Sequence, residues 1–362
     1  MIYVVLGTKA QLIKMAPVMM ELRDRGVEYR FISTGQHKDT TDDILANFQL
    51  AGPEVFLHEG QDIVSIRQML TWSLKVMFRA FRTRRSLFPV RNGIVLVHGD
   101  TASTLLGAFI AKIGGQRVGH VEAGLRSFNY FHPFPEELIR IVVGRMADIR
   151  FCPGGWALGN VVGYRGGRNI DIGGNTLQDS LRIMLSRSQD FDLQVPPGDF
   201  GIISIHRFEN LKDKNALLRI VELIELVAGQ FPLLFILHKP TERKLRQYGL
   251  FDRLSKLPGL ELRQRYDYLR FMHLVRAARF VVSDGGSNQE ECYYLGKPLL
   301  LLRAATERKE GLDDNCTLSE YQPQRVLAFM ASLNDRAPRA PLVSEASPSA
   351  RVVDSCLESP AT

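Results

Sequence analysis

Three acidic residues in the first half of the chain stand where an apolar run gives way to a helical pattern. Asp100 does so in His98-Gly99-Asp100-Thr101, after the run 93–98, and Glu122 in His120-Val121-Glu122-Ala123-Gly124-Leu125-Arg126, after the run 117–121. Glu136 opens a helical stretch in Pro133-Phe134-Pro135-Glu136-Glu137, with Arg140 one turn further on the same face. Taken singly, an acid at such a place caps a helix. Three of them delivered to one sheet edge suggest more. Carboxylates crowded together raise one another's pKa, which provides a general base or acid near neutral pH.

The second half holds groups suited to phosphate and a nucleoside. His206-Arg207-Phe208-Glu209-Asn210 follows the run 201–205. A His and an Arg at a strand end match phosphate charge, and Glu209 can orient either of them. Asp284-Gly285-Gly286-Ser287-Asn288-Gln289-Glu290-Glu291 likewise joins a strand to a helix. Small residues such as Gly286 and Ser287 let backbone N–H groups close on a diphosphate, and an acid one turn in, Glu291, can accept from ribose hydroxyls. His238 ends another strand, and Tyr266 or Phe271 can stack a base, although core packing is the commoner fate of a lone aromatic. Gly7-Thr8-Lys9-Ala10-Gln11 follows the first strand; the helix it opens, with Lys9 and Lys14, attracts an anion or is a plain structural turn. His37 is a polar loop group after a strand, while His58 and His273 carry no argument. No two histidines and an acid have metal-ligand spacing, so neither metal nor other cofactor is expected.

Short strands must position these groups. Candidates are 3–6, 29–33, 93–98, 117–121 and 149–151, then 201–205, 233–237, 260–262, 280–283 and 298–302, with amphipathic helical stretches such as 11–25, 101–113, 136–146, 214–229 and 288–295 between them. Such alternation predicts parallel sheets with right-handed crossovers. The expected class is α/β: two Rossmann-like, doubly wound domains facing a central cleft, with functional loops at the carboxyl ends of the strands. Residues 1–170 form the expected first domain, with the acids, and 171–335 the second. The glycine-rich stretch from Gly154 to Gly174 reads as the linker. After Ser332 the composition turns to Pro, Ala and Ser, so 336–362 is expected as a tail, loose or crossing back over the first domain.

A length of 362 residues suits two domains, and 45% hydrophobic with 23% charged residues is a globular profile. No apolar run approaches the ~20 residues of a membrane helix, and the start shows no signal peptide, so a cytoplasmic protein without an integral membrane segment is expected. Four scattered cysteines read as reduced thiols. The net charge of +7 admits an anionic partner, but no nucleic-acid motif accompanies it. Much of the excess lies in Lys75, Arg79, Arg82, Arg84, Arg85 and Arg91, interleaved with Met77, Phe78 and Phe81. That stretch is either a solvated helix face with an apolar underside or a contact for a membrane surface or acidic partner.

In their order and spacing these blocks resemble the non-hydrolysing UDP-N-acetylglucosamine 2-epimerases of bacteria. The matching segments are Gly7–Pro17, Thr34–His37, Gly99–Thr101, His120–Arg126, Pro133–Arg140, Gly174–Leu181, His206–Asn210, Asp284–Pro298 and Thr306–Arg308. The resemblance implies two Rossmann-like domains in the GT-B-like arrangement, a UDP-sugar substrate, no nicotinamide and a homodimer. It implies interconversion of UDP-N-acetylglucosamine and UDP-N-acetylmannosamine by loss and return of UDP around C2 deprotonation. On the same grounds Asp100, Glu122 and Glu136 are the acid/base set, and His206 attends the departing diphosphate. Lys9, Lys14 and Arg140 balance charge, Phe271 meets the uracil, Gly286 and Ser287 the phosphate, and Glu291 the ribose; His37 and His238 join the binding set.

Three departures fall on expected phosphate or sugar contacts. The family's Gly-Thr-Arg-Pro-Glu stands here as Gly7-Thr8-Lys9-Ala10-Gln11, which loses the bidentate fork and one charge. Its Asp-Ser-Gly-Gly appears as Asp284-Gly285-Gly286-Ser287, and its His-Arg-Arg-Glu-Asn as His206-Arg207-Phe208-Glu209-Asn210. The exact sugar is therefore open. Two rival activities use the same architecture: a UDP-sugar glycosyltransferase, and a hydrolysing epimerase that releases UDP and the free sugar.

Overall fold

Side chains that alternate between the faces of a strand are all apolar only when both faces are covered, which is the condition of a parallel sheet between helices. The apolar runs 2–6, 94–98, 201–204, 233–237 and 280–283 are each buried along their whole length, and in the computed structural model they form the middles of two parallel sheets. The structure describes residues 1–36, 41–59, 66–130, 134–187, 193–306, 308–312, 314–336, 339–342 and 346–358. The chain falls into two units, Met1–Ile183 with Ser344–Thr362, and Met184–Val343.

The first unit contains β1 (Ile2–Leu6), α1 (Lys9–Asp24), β2 (Tyr29–Ser33), α2 (Thr41–Phe48), β3 (Val55–Phe56), α3 (Ile66–Leu87), β4 (Ile94–His98), α4 (Ala102–Ile113), β5 (Arg117–Val121), α5 (Glu136–Met146), β6 (Ile149–Cys152), α6 (Gly155–Gly159) and β7 (Arg168–Asp171). The helix α7 (Leu177–Ser186) leads out of it, and the closing helix α15 (Pro348–Leu357) returns to it. Its sheet runs β3-β2-β1-β4-β5-β6-β7, all parallel, so the order reverses between β1 and β4.

The second unit contains β8 (Gly201–Ser204), α8 (Phe208–Leu211), α9 (Lys214–Ala228), β9 (Leu233–Leu237), α10 (Lys239–Gln247), α11 (Phe251–Ser255), β10 (Leu260–Gln264), α12 (Tyr268–Ala277), β11 (Phe280–Ser283), α13 (Gly286–Tyr294), β12 (Leu299–Leu301), β13 (Cys316–Leu318) and α14 (Pro323–Ser332). The sheet order β10-β9-β8-β11-β12-β13 repeats the same reversal, here between β8 and β11. In doubly wound sheets, ligands gather at that reversal, beyond the carboxyl ends of the strands.

Three strands were not foreseen. β3, β7 and β13 have two to four residues each, and β7, Arg168-Asn169-Ile170-Asp171, is polar because it edges its sheet. The glycine-rich stretch read as a linker thus contains a strand of the first unit, and the boundary between units falls inside α7. The basic stretch forms α3, whose inner face buries Trp72, Val76, Ala80 and Leu87. Its outer face is more than a solvated charge array: Leu70, Leu74, Phe78 and Phe81 are 56% to 72% exposed there. Among the described residues no helix is long and apolar enough to cross a membrane.

One packing detail ties α7 to the site. Pro17 lies inside α1 and has no N–H, so the carbonyl of Ile13, four residues back, lacks its helical donor. Ser180 of α7 supplies one, its Oγ donating to Ile13 O at 2.6 Å. One residue earlier in α7, Asp179 accepts from Ser347 Oγ at 2.9 Å and Ser349 N at 2.8 Å, which fixes α15. Ser180→Ala leaves a buried carbonyl without a donor, and a loss of about 1–3 kcal/mol, read as a lower melting temperature, is expected.

Candidate active site

The turn from β1 to α1 is built for close approach. A Cβ on Gly7 would lie 2.0 Å from both Ser103 Oγ and Thr34 Oγ1, so only glycine fits. Thr8 and Gln11 form a capping box. Gln11 is 1% exposed: its Oε1 accepts from Gly7 N and Thr8 N at 3.0 and 3.1 Å, while Nε2 donates to His98 O at 2.7 Å and Thr104 Oγ1 at 2.9 Å. The expectation that Gln11 falls among phosphate or sugar contacts is corrected here, because every polar atom of its side chain is spent on the fold. A carboxylate there would meet the His98 carbonyl oxygen, so Gln11→Glu is expected to cost about 2–4 kcal/mol of stability in thermal melts. Lys9, at the first position of α1, is partly exposed.

Asp100 follows β4 but does not cap α4. Thr101 does that, with Thr104 as its reciprocal partner. The Asp100 carboxylate is bound by Arg140 from α5, Nη2 at 2.6 Å and Nε at 2.9 Å from Oδ2. Glu122 follows β5, the neighbour of β4, at a backbone φ of +66°. That left-handed conformation is costly for a residue with a side chain and persists only where the surroundings impose it. Lys14 Nζ, itself buried, lies 2.6 Å from Glu122 Oε2; Asn175 Nδ2 donates to the same oxygen at 2.9 Å, and His98 Nε2 is 3.2 Å away without hydrogen-bond alignment. His120, from β5, feels the charge of both acids and has one nitrogen 2.8 Å from Gly99 O. Burial pushes its pKa down to about 4, against the raising influence of the Gly99 carbonyl and of Asp100 and Glu122, so the ring is neutral at pH 7.

Glu136 is the first residue of α5, and its Oε2 is buried with no hydrogen-bond partner among the described residues. Beside it, Glu137 is a residue that the sequence reading passed over. Its carboxylate, fully buried, accepts from Arg126 Nε at 2.5 Å and Ser127 N at 2.9 Å, with Arg140 Nη1 at 3.4 Å. Burial alone would raise the Glu137 pKa, yet the Ser127 amide and the two guanidiniums hold it below the usual range. Arg140 therefore joins Glu137 to Asp100. A helical face argument finds this pair, since 137 and 140 are one turn apart.

In the second unit the loop after β8 is clamped by Asp284. That residue is fully buried and accepts from His206 N at 3.0 Å, Arg207 N at 2.9 Å and Asn210 Nδ2 at 2.9 Å. The His206 ring stacks near His238, centroids 4.7 Å apart, and Ser204 Oγ lies 3.2 Å from His238 Nε2. A Cβ on Gly285 would sit 2.7 Å from His206 Cε1, and one on Gly286 would sit 2.8 Å from Arg308 Nε. The two glycines thus let the N-terminus of α13 lie against His206 and Arg308, a positive end beside two basic groups. Ser287 is in the first turn of that helix, and Glu291, one turn on, is buried with Asn288 Nδ2 at 2.9 Å from its carboxylate. Burial first, then the Glu291 charge, push the neighbouring Tyr268 hydroxyl well above its ordinary pKa. Phe271 lies in α12, partly buried. His37 falls outside the described residues.

The structure thus gathers Asp100, Glu122, Arg140 and Lys14 around the end of the first sheet, and His206, His238, Gly286 and Ser287 around the end of the second. Arg308, Asp284, Asn175 and Glu137 are additions to what the sequence suggested.

Comparison with known proteins adds independent support. The family model for UDP-N-acetylglucosamine 2-epimerase matches residues 20–349. The UDP-N-acetylglucosamine 2-epimerase of Bacillus subtilis is 32% identical over 320 residues, covering 85% of this chain and 80% of that one. The enzyme of the same name from Campylobacter jejuni is 32% identical over 336 residues, covering 86% and 83%. The crystal structure of UDP-GlcNAc 2-epimerase from Neisseria meningitidis bound to UDP-GlcNAc superposes with a TM-score of 0.82 at 25% identity, covering 99% of this chain and 100% of that one.

Proposed function

The chain belongs to the UDP-N-acetylglucosamine 2-epimerase family, and on that premise we propose that it inverts C2 of a UDP-N-acetylhexosamine, interconverting UDP-N-acetylglucosamine and UDP-N-acetylmannosamine. One observation carries the reading: two carboxylates, Asp100 and Glu122, emerge from the carboxyl ends of adjacent strands around one neutral histidine, each with a cation against it.

The chemistry needs little else. A carboxylate takes the C2 proton while the C1–O bond breaks and its electron pair departs with UDP, leaving a C1=C2 double bond. The UDP oxygen then returns to C1 and a proton is delivered to the opposite face of C2. No net oxidation occurs, so no redox partner enters the balance. Asp100, Glu122 and Glu136 are the proposed proton donors and acceptors, which lets both faces of the sugar be served. Arg140 and Lys14 offset the charge of the first two, and Lys9 adds to it. In the second unit, His206 and the α13 terminus with Gly286 and Ser287 are the proposed diphosphate site. Glu291, Phe271 and His238 complete the proposed nucleotide contacts. The enzyme is proposed to work in the cytoplasm as a homodimer, a reading supported by the apolar stripe on α3, since monomers rarely leave such a patch in water; light scattering in solution measures the subunit number.

Incubation with UDP-N-acetylglucosamine in deuterated water tests the activity. Deuterium at C2 of an intact UDP-sugar is the expected result. Release of UDP with free sugar would indicate a hydrolysing enzyme, and no exchange at all would overturn the epimerase reading in favour of a transferase or another sugar.

A further inference from the structure

The groups around Glu122 are not equivalent. Lys14 comes from α1, and His98, 3.2 Å away without hydrogen-bond alignment, comes from the end of β4. Asn175 comes from the segment entering α7 and is neutral at every pH. Both ends of its amide are engaged: Nδ2 donates to Glu122 Oε2 at 2.9 Å, and Oδ1 accepts from Leu177 N at 3.0 Å, at the first residue of α7. The side chain is 4% exposed. A single buried amide therefore links the start of a helix, itself anchored to α1 through Ser180, to a carboxylate whose backbone is held at φ +66°.

We propose that Asn175 is a positioning residue for proton transfer, holding Glu122 through Nδ2 in the orientation that reaches the C2 hydrogen. The role rests on the assignment of Glu122 as an acid/base group. Among the described residues Lys14 and His98 lie against Glu122, and His120 feels the charges of both Glu122 and Asp100. The Asn175 amide carries no charge, so the hydrogen bond that it donates orients the carboxylate without placing another charge beside it.

Two substitutions separate positioning from helix support. Asn175→Ser keeps an oxygen that can accept from Leu177 N but is too short to reach Glu122. Asn175→Asp keeps the capping oxygen, since Asp caps as well as Asn, and turns a donor toward Glu122 into a second carboxylate. With the deuterium-exchange assay on the full-length protein, Asn175→Ser is expected to lower kcat about ten- to a hundredfold, the span for a lost hydrogen bond to a charged group, with KM within about twofold. Asn175→Asp is expected to move the acid limb of the pH–rate profile upward by about one unit, because a neighbouring negative charge favours the protonated acid. The melting temperature of Asn175→Ser should stay near that of the wild type, whereas Asn175→Asp, which buries a second carboxylate against Glu122, should melt lower. Unchanged kcat and pH profile in both variants would overturn the role. So would a fall in kcat that follows melting temperature and is joined by a rise in KM, the signature of a helix cap alone. A wild-type protein that exchanges no deuterium sinks the epimerase reading, and this role with it, whereas exchange by the wild type with indifferent variants sinks the Asn175 role only.

Discussion

Glu122→Gln is expected to lower kcat about a thousandfold, within the 10²–10⁴ range of lost general acid–base groups. The substitution keeps the shape of the side chain and one oxygen for the donors that converge on it, but removes the proposed proton acceptor. It also removes the negative charge against Lys14, which is 4% exposed. Taking one partner from a buried ion pair costs about 3–5 kcal/mol, so the single variant should melt early as well. A second variant parts the two effects. Lys14→Met together with Glu122→Gln leaves no buried charge from the pair and should recover most of the lost stability, yet not the turnover. Rates of C2 deuteration and melting temperatures of the wild type, both single variants and the double variant complete the cycle. Recovery of turnover in the double variant would show that Glu122 matters to this enzyme through folding and not through chemistry.

The second large effect belongs to Asp284→Ala. The carboxylate is fully buried and satisfies the amides of His206 and Arg207 and the side chain of Asn210. Alanine takes the acceptor from the partly buried amides of His206 and Arg207 and leaves Asn210 Nδ2 with the Leu302 carbonyl alone, at about 1–3 kcal/mol for each lost bond, a large share of the whole stability of many domains. If enough folded protein remains, UDP should bind at least tenfold more weakly, because the loop that carries His206 has lost its clamp. Asp284→Asn keeps one acceptor oxygen and should fall between. Calorimetric melting and UDP titration measure the two consequences separately. Full stability in Asp284→Ala would mean that the loop after β8 is held by other contacts.

Much of the frame was legible because it is written locally. Runs such as Ile2–Leu6 and Leu233–Leu237 are apolar on both faces, which only a covered parallel strand allows, and Asp100 and Glu122 stand just past two further strands, β4 and β5. The positions of Asp100 and Glu122 in the loops after β4 and β5 follow from that, while Glu136 was legible as the start of the helical pattern of α5. What each side chain touches did not follow. Asp284 read as the opening of a phosphate loop, whereas its partners lie some 78 positions earlier in the chain. Gln11 read as a diminished charge toward the ligand, although its bonds run to His98 and Thr104. Asn175 gave no signal of its own, for its meaning comes from Glu122, 53 positions away. Edge strands such as β7 are equally silent, being short and half solvated.

The Ile13–Ser180 and Asp179–Ser349 bonds have a consequence for how this protein can be taken apart. The first unit is closed by two separate stretches of chain, with Met184–Val343 interposed, so the second unit is formally an insertion. A single cut near residue 170, where sequence alone would place it, strips away the hydroxyl that answers Pro17 and the amide that steadies Glu122. Recombination that respects the insertion points instead exchanges the whole of Met184–Val343 as a cassette, while the half that carries Asp100 and Glu122 travels unbroken.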